Sequence, residues 1–272
     1  MRGHDVMTST NTILVSLSSF GAAEVRRHGQ RFFAGLAHDA GADGVEVRGE
    51  LLTDPQSELP AIADEAGKRS LSLVYSSPDG LWTAAGALDA DALDRALQAT
   101  ALLGTTVLKM SVGGYGRASS PTIASLEDRL AGRGIALLIE NDQTASAGTL
   151  AALQAFFAEA GERGLAPGMT FDMGNWHWVG ECPLQAAQAC APRVAYVHCK
   201  GVQRQPQRWV AVPLSESAAP WRAVLRALPP TVPWAIEYPL AGDDLEAVTR
   251  AEIAALRALA AGQAATREPA QR

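Results

Sequence analysis

The chain has 272 residues, 47% of them hydrophobic and 19% charged, a globular composition that excludes disordered, fibrous and disulfide-stapled classes. With 23 Lys and Arg against 29 Asp and Glu the net charge is −6, so long-range attraction to nucleic acid or an anionic membrane is not expected and a small-molecule partner is favoured. Three cysteines, Cys182, Cys190 and Cys199, are odd in number and lack C-x2-C spacing, which points to reduced structural thiols and a cytoplasmic setting.

Residues 1–11 are polar and irregular and are expected to fray. Short apolar runs then alternate with Ala- and Leu-rich stretches at helical spacing. The predicted strands are ILVSL (13–17), which is too short for a signal-peptide core, GVEVR (44–48), LSLVY (71–75), TVLKM (106–110), IALLIE (135–140), MTFDM (169–173), VAYVHCK (194–200) and WAIEY (234–238). Between the third and fourth, Leu88, Leu93, Leu97 and Leu102 or Leu103 recur at helical spacing, with Gly104 just beyond as a stop. TLAALQAFFAEAGERG repeats that design before the sixth strand. Gly- or Pro-containing turns precede several strands, among them Gly41-Ala42-Asp43-Gly44 and Pro229-Pro230. From Val15 to Glu237 the eight strands are spaced about 32 residues apart. The predicted fold is therefore an α/β, single-domain (β/α)8 TIM barrel over residues 12–261, with a doubly wound open sheet as the alternative. No apolar run approaches the roughly 18 residues of a membrane helix. The apolar period is lost from Gly262 onward, so residues 262–272 are expected to form a second frayed tail.

The informative anomaly is that these apolar strands carry ionisable residues at or near their C-terminal ends: Glu46 and Arg48, Lys109, Glu140, Asp172, His198 with Lys200, and Glu237. In a parallel barrel that end faces the loops where active sites form, and strand side chains alternate in and out. Leu138 and Glu140 share one parity, as do Thr170 and Asp172, Tyr196 and His198, Ala235 and Glu237, and Gly44 and Glu46. If these face the axis, the carboxylates of strands five, six and eight meet one imidazole at a single mouth. Buried carboxylates at short range raise one another's pKa by whole units unless a cation compensates. The mixed oxygen and nitrogen set suits one divalent metal ion, Mn2+, Mg2+, Co2+ or Zn2+. Taken singly, a Glu at a strand end reads as a solvated rim charge and a His as a satisfied core residue. Cys199 has the opposite parity and reads as a thiol packed toward the helices.

IALLIEN, FDMGNW, YVHCKGV and AIEY, in that order, resemble the sugar isomerase and epimerase branch of the xylose isomerase-like barrel superfamily, relatives of tagatose epimerases and inosose dehydratases. The resemblance spans roughly residues 13–260. It implies that Glu140, Asp172, His198 and Glu237 bind one divalent ion, that Glu140 and Glu237 act as acid and base, and that Arg204, six residues past the histidine, contacts substrate. WVAVPLSESAAPW is similar to the family's PLG-x-G stretch, with serines at both glycine places. There are departures. Asn175 stands where ketose epimerases carry a histidine, Gly201 replaces the acid of the H-x-K-D motif, and the early strands lack the histidines that DNA-repair members use for further zinc ions.

The expected activity is a metal-dependent isomerase or epimerase acting on a small carbohydrate through an enediolate, with Glu46, Lys109, Asn175, His177, Lys200 and Arg204 as substrate-facing candidates. Four of these have a structural alternative: His177, between Trp176 and Trp178, reads also as part of an aromatic lid, and Lys109, Lys200 and Arg204 as partners of Glu46 or neighbouring acids at the rim. A lyase would use the same enolate to expel a hydroxyl group, protonated by Lys109, Lys200 or His177, and a noncatalytic sugar-binding protein is the choice from another class. Asp243 and Asp244 at the expected start of the last helix disfavour a phosphate there, so the expected substrate is an unphosphorylated sugar, keto-sugar or sugar acid. No nucleic-acid or membrane partner is expected, and a homodimer is allowed.

Overall fold

The computed structural model describes residues 11–267. In chain order it contains β1 (Ile13–Ser16), α1 (Ala22–His28), α2 (Gln30–Asp39), β2 (Gly44–Arg48), α3 (Pro55–Arg69), β3 (Ser72–Trp82), α4 (Ala90–Leu103), β4 (Val107–Gly113) and α5 (Ile123–Leu130). There follow β5 (Ala136–Glu140), α6 (Leu150–Glu162), β6 (Gly168–Asp172), α7 (Pro183–Cys190), β7 (Val194–Cys199), β8 (Gly201–Arg204), β9 (Trp209–Val212), α8 (Trp221–Ala227), β10 (Trp234–Ile236) and α9 (Leu245–Arg267). Eight strands close a parallel barrel in the spatial order β1-β10-β7-β6-β5-β4-β3-β2, so the sheet is the closed TIM barrel and the open-sheet alternative is excluded. β8 and β9 form a separate antiparallel hairpin.

Strand parity divides the core in two. Leu14, Val74, Leu138, Tyr196 and Ala235 make a cluster of their own. Three of them stand two residues before a site group on the same strand or its continuation, which places them inside the barrel beneath the site. The residues between them in sequence, such as Ile13, Val15, Ile139, Val197 and Cys199, belong to the larger cluster under the helices. Fully burying one such aliphatic side chain is worth about 1.5–3 kcal/mol, and this inner plug gives the polar groups above it a dry floor. Helix signals read from the chain are used as expected. Asp89 accepts from Ala92 N at 2.9 Å to start α4, and Gly104 ends it at φ +70°, a conformation an L side chain rarely adopts. Asp244 accepts from Ala247 N at 2.9 Å and so occupies the start of α9.

Three features differ from the sequence reading. β3 runs on to Trp82 through a register shift between Ser76 and Gly80, and Trp82 then packs edge-on to Tyr115 and Phe156, with ring centroids 4.7 and 5.6 Å away. The hairpin β8–β9 was not anticipated. The last helix continues through residues 262–267, so the expected break at Gly262 does not occur there. Residues 1–10 and 268–272, which hold nearly all of the first expected tail and the last five residues of the second, lie outside the described residues. Among the described residues no helix is long and apolar enough to cross a membrane.

Candidate metal centre

Register sets the heights of the polar groups. Asp172 on β6 pairs with His198 on β7, Ala235 on β10 also pairs with His198, and Glu140 on β5 pairs with Thr170. Four adjacent strands thus bring Glu140, Asp172, His198 and Glu237 together at the C-terminal end of the barrel. Each offers one ligand atom, and the four lie within 4.8 Å of one another. The His198 Nδ1 is 2.9 Å from Glu140 Oε1, 2.9 Å from Glu237 Oε2 and 3.7 Å from Asp172 Oδ2. Its other nitrogen, Nε2, is 2.7 Å from Glu46 Oε2. This donor set fits a divalent ion: three carboxylates converge on one imidazole nitrogen, and a fourth carboxylate holds the opposite nitrogen from behind.

Three cations, Lys109 buried and Lys200 and Arg48 partly buried, offset most of the negative charge. Lys109 bridges Glu46 at 2.9 Å and Glu140 at 2.8 Å, and Lys200 bridges Asp172 at 2.6 Å and Glu237 at 2.7 Å. Arg48 donates through Nη1 to Glu46 at 2.8 Å and Glu237 at 2.7 Å. Burial alone would raise Glu237, but His198 and Lys200 outweigh it and hold its carboxyl well below the usual range. Burial likewise opposes a charged His198, yet Glu237 and Glu46 hold the imidazole well above its ordinary value. Asp172 moves the other way: burial raises its carboxyl even with the Lys200 ammonium beside it, a penalty that a bound cation relieves.

The expected substrate-facing residues divide. Lys200 is at the centre, and it also lines two cavities there. One, of about 260 Å³, includes His177, Met173, Val202 and Trp221, and the other, of about 210 Å³, includes Ser18, Glu237 and Tyr238. His177 Nε2 is buried without a hydrogen-bond partner, its ring centroid lies 4.8 Å from that of Trp209 on the hairpin, and burial lowers its pKa. Glu46 and Lys109, 0% and 1% exposed, are buried among the candidate ligands, and Lys109 is the partner of Glu46. Asn175 is also buried: its side chain donates to Asn141 O at 2.9 Å and accepts from Gln143 at 3.0 Å and Lys200 at 3.3 Å, so it braces the loop. Arg204 is exposed on the hairpin, with its guanidinium 5.3 Å from the ring centroid of Trp209, the residue that packs on His177.

Two residues of structural consequence were missed. Asn141 exchanges two hydrogen bonds with the backbone of Asp172, at 2.9 and 3.0 Å, extending the β5–β6 pairing by one side chain. Its position directly after the ligand Glu140 was the available signal. Arg48 was noted at its strand end but was not assigned to the site that it clamps. Close packing around Lys200 supports a prediction at Gly174. The backbone there has an ordinary φ of −88°, but a Cβ would lie 2.7 Å from Lys200 Cδ and 2.9 Å from Cγ. Gly174→Ala should therefore cost about 1–3 kcal/mol in denaturant unfolding by overpacking. An unchanged midpoint would show that the Lys200 stem is free to move aside.

Comparison with known proteins places this geometry in context. The xylose isomerase-like TIM barrel family matches residues 34–259. No protein of curated function matches the chain. Among solved structures, a probable 3-DHS dehydratase of petrobactin synthesis from Bacillus anthracis is similar at a TM-score of 0.67 and 16% identity, covering 90% of this chain and 98% of that one. A D-allulose 3-epimerase from Methylomonas sp. is similar at 0.65 and 16%, covering 92% and 97%. A D-psicose 3-epimerase from Clostridium cellulolyticum H10 is similar at 0.66 and 12%, covering 91% and 99%. At such identities the likeness is one of fold.

Proposed function

The chain belongs to the xylose isomerase-like TIM barrel family, and from that premise we propose that it is a divalent-metal-dependent isomerase or epimerase acting on a small sugar, keto-sugar or sugar acid through an enediolate. The observation that carries this reading is the placement of Glu140 and Glu237, three barrel strands apart yet each 2.9 Å from His198 Nδ1, with Asp172 completing the set. An ion held by these four residues supplies a Lewis acid that stabilises negative charge on a carbonyl oxygen and its neighbouring hydroxyl oxygen. Glu237, kept ionised by His198, Lys200 and Arg48, is ready to accept the proton from the carbon between those groups. Glu140, held below its usual range by Lys109 and His198 against the effect of burial, offers a second carboxylate on the other side. Return of the proton by the same glutamate to the neighbouring carbon gives isomerisation. Return by the opposite glutamate, once protonated, gives epimerisation. Asp244 at the start of α9 occupies the helix end that would otherwise attract a phosphate, which supports an unphosphorylated substrate.

A dehydratase is the second reading, and Lys200 favours it. Its ammonium sits 2.7 Å from Glu237 and lines both cavities beside the centre, within reach of a hydroxyl leaving from the carbon next to the enolate. A screen of unphosphorylated sugars, keto-sugars and sugar acids with Mn2+-supplemented protein in D2O tests both. An isomerised or epimerised product carrying deuterium at the reacting carbon is expected, and loss of water would select the dehydratase. If no compound of these classes exchanges a proton or changes, the proposal fails.

A further inference from the structure

Glu46 and Lys109 are charged, fully buried and outside the set of four candidate ligands, so their charges need another explanation. We infer that they form a positioning pair that decides which nitrogen of His198 is offered to the ion; this rests on the metal-centre reading above. Glu46 stands on β2, opposite β6 in the barrel order, with its side chain 0% exposed. Its Oε1 is committed to two cations, Lys109 Nζ at 2.9 Å and Arg48 Nη1 at 2.8 Å. That grip leaves Oε2 aimed at His198 Nε2, 2.7 Å away. A carboxylate held this way has only lone pairs to offer, so when an ion takes the place of the hydrogen on Nδ1 the remaining hydrogen stays on Nε2 against Glu46. Nδ1 is the nitrogen that faces Glu140, Asp172 and Glu237. Lys109 acts on both sides of the ring at once, since the same ammonium lies 2.8 Å from Glu140 Oε2 and orients the ligand farthest along the sheet from β10. Edge-on contact with the ring of Tyr196, at 5.1 Å between centroids, blocks rotation of the imidazole from below.

A buried Glu–Lys pair could instead serve only to cancel charge, and two variants separate the roles. The double variant Glu46→Gln/Lys109→Met preserves net charge and leaves no unpaired buried ion of its own making, but its amide can present either oxygen or NH2 to Nε2 and no longer imposes a tautomer. Glu46→Asp keeps the negative charge beside Lys109 while falling one methylene short of the ring. Both should weaken Mn2+ binding by about 10- to 100-fold, the loss typical when an outer partner of a metal-bound histidine is removed, in a titration that follows free Mn2+ by electron paramagnetic resonance. Thermal unfolding run in parallel reports the fold, and if the double variant does not fold then Glu46→Asp decides. In the Zn2+-loaded parent, long-range 15N–1H correlations should show His198 protonated at Nε2. Parent-like Mn2+ affinity in the folded variants, or a His198 protonated at Nδ1, overturns the inference and reduces the pair to charge balance. A parent protein that binds neither ion overturns the metal-centre reading and this inference together, whereas a parent that binds with unaffected variants removes this inference alone.

Discussion

His198→Ala and Asp172→Ala should each abolish tight binding of a divalent ion while leaving a folded barrel. Losing a ligand itself should cost more than the roughly 10- to 100-fold that follows loss of an outer partner, so native protein should carry an ion through desalting and both variants should not. Elemental analysis after gel filtration, with thermal unfolding in the presence and absence of Mn2+, makes the comparison. Asp172 has a second job that limits what its variant shows: Oδ1 accepts from Gly174 N at 2.7 Å and Asn175 N at 2.8 Å. Alanine strands those two buried donors at about 1–3 kcal/mol each, so Asp172→Asn, which can keep Oδ1 for the loop, is the companion variant. Proton linkage gives the sign of the pH dependence. Glu237 and Glu46 hold His198 well above its ordinary value against the effect of burial, so an ion must displace a proton from Nδ1 and its affinity rises with pH. Full occupancy in both alanine variants, or affinity that falls as pH rises, would mean that these residues are not the ligands.

Most of the barrel and the four converging groups were legible because each depends on a local period. Alternation along GVEVR, ALLIE and VAYVHC fixes which side chains enter the barrel, and burial of Leu138, Tyr196 and Ala235 beneath the ligands follows from that parity alone. What was not legible depends on contacts between distant segments. The predicted third strand stops at Tyr75, yet the chain resumes pairing at Gly80, which lies so close to Gly113 that a Cβ would approach its Cα to 2.8 Å. The hairpin is held by antiparallel pairing from Gly201↔Val212 to Arg204↔Trp209, and four-residue strands flanking a polar turn carry too little pattern to announce themselves. Charged strand ends were read as facing the mouth because the C-terminal ends of parallel barrel strands face the active-site loops, and Lys and Glu are seldom fully buried. Glu46 and Lys109 break that rule only because each has the other, together with His198 and Glu140, as a partner. Arg204 was singled out by its spacing from the histidine, and the hairpin that carries it and sets it over Trp209 was not legible.

Replacing either glutamate by glutamine should lower turnover by at least about 100-fold, the usual contribution of a positioned general base. The amide keeps the shape and one oxygen for an ion but cannot accept a proton. The two variants should not fail in the same way. Glu237 is gripped by Lys200, Arg48 and His198, so Glu237→Gln leaves two partly buried cations with one fewer acid and should also weaken the attachment of Lys200 to the centre. Glu140 has Lys109 and His198, and Glu140→Gln leaves Lys109 with Glu46. Loss of turnover with a nearly unchanged Michaelis constant is expected for Glu140→Gln, and loss with a raised constant for Glu237→Gln. Single-turnover measurements in D2O then assign the proton. Whichever variant stops deuterium entering the substrate at the reacting carbon has lost the base that removes it. A variant that still exchanges that proton but forms no product has lost the group that completes the reaction. If the product has lost water, Lys200→Met joins the series, because an ammonium 2.7 Å from Glu237 is placed to protonate the departing hydroxyl once the glutamate has taken its proton. Retention of exchange with loss of dehydration in Lys200→Met would select the lyase, whereas near-normal turnover in both glutamine variants would remove the two-glutamate mechanism for either reaction.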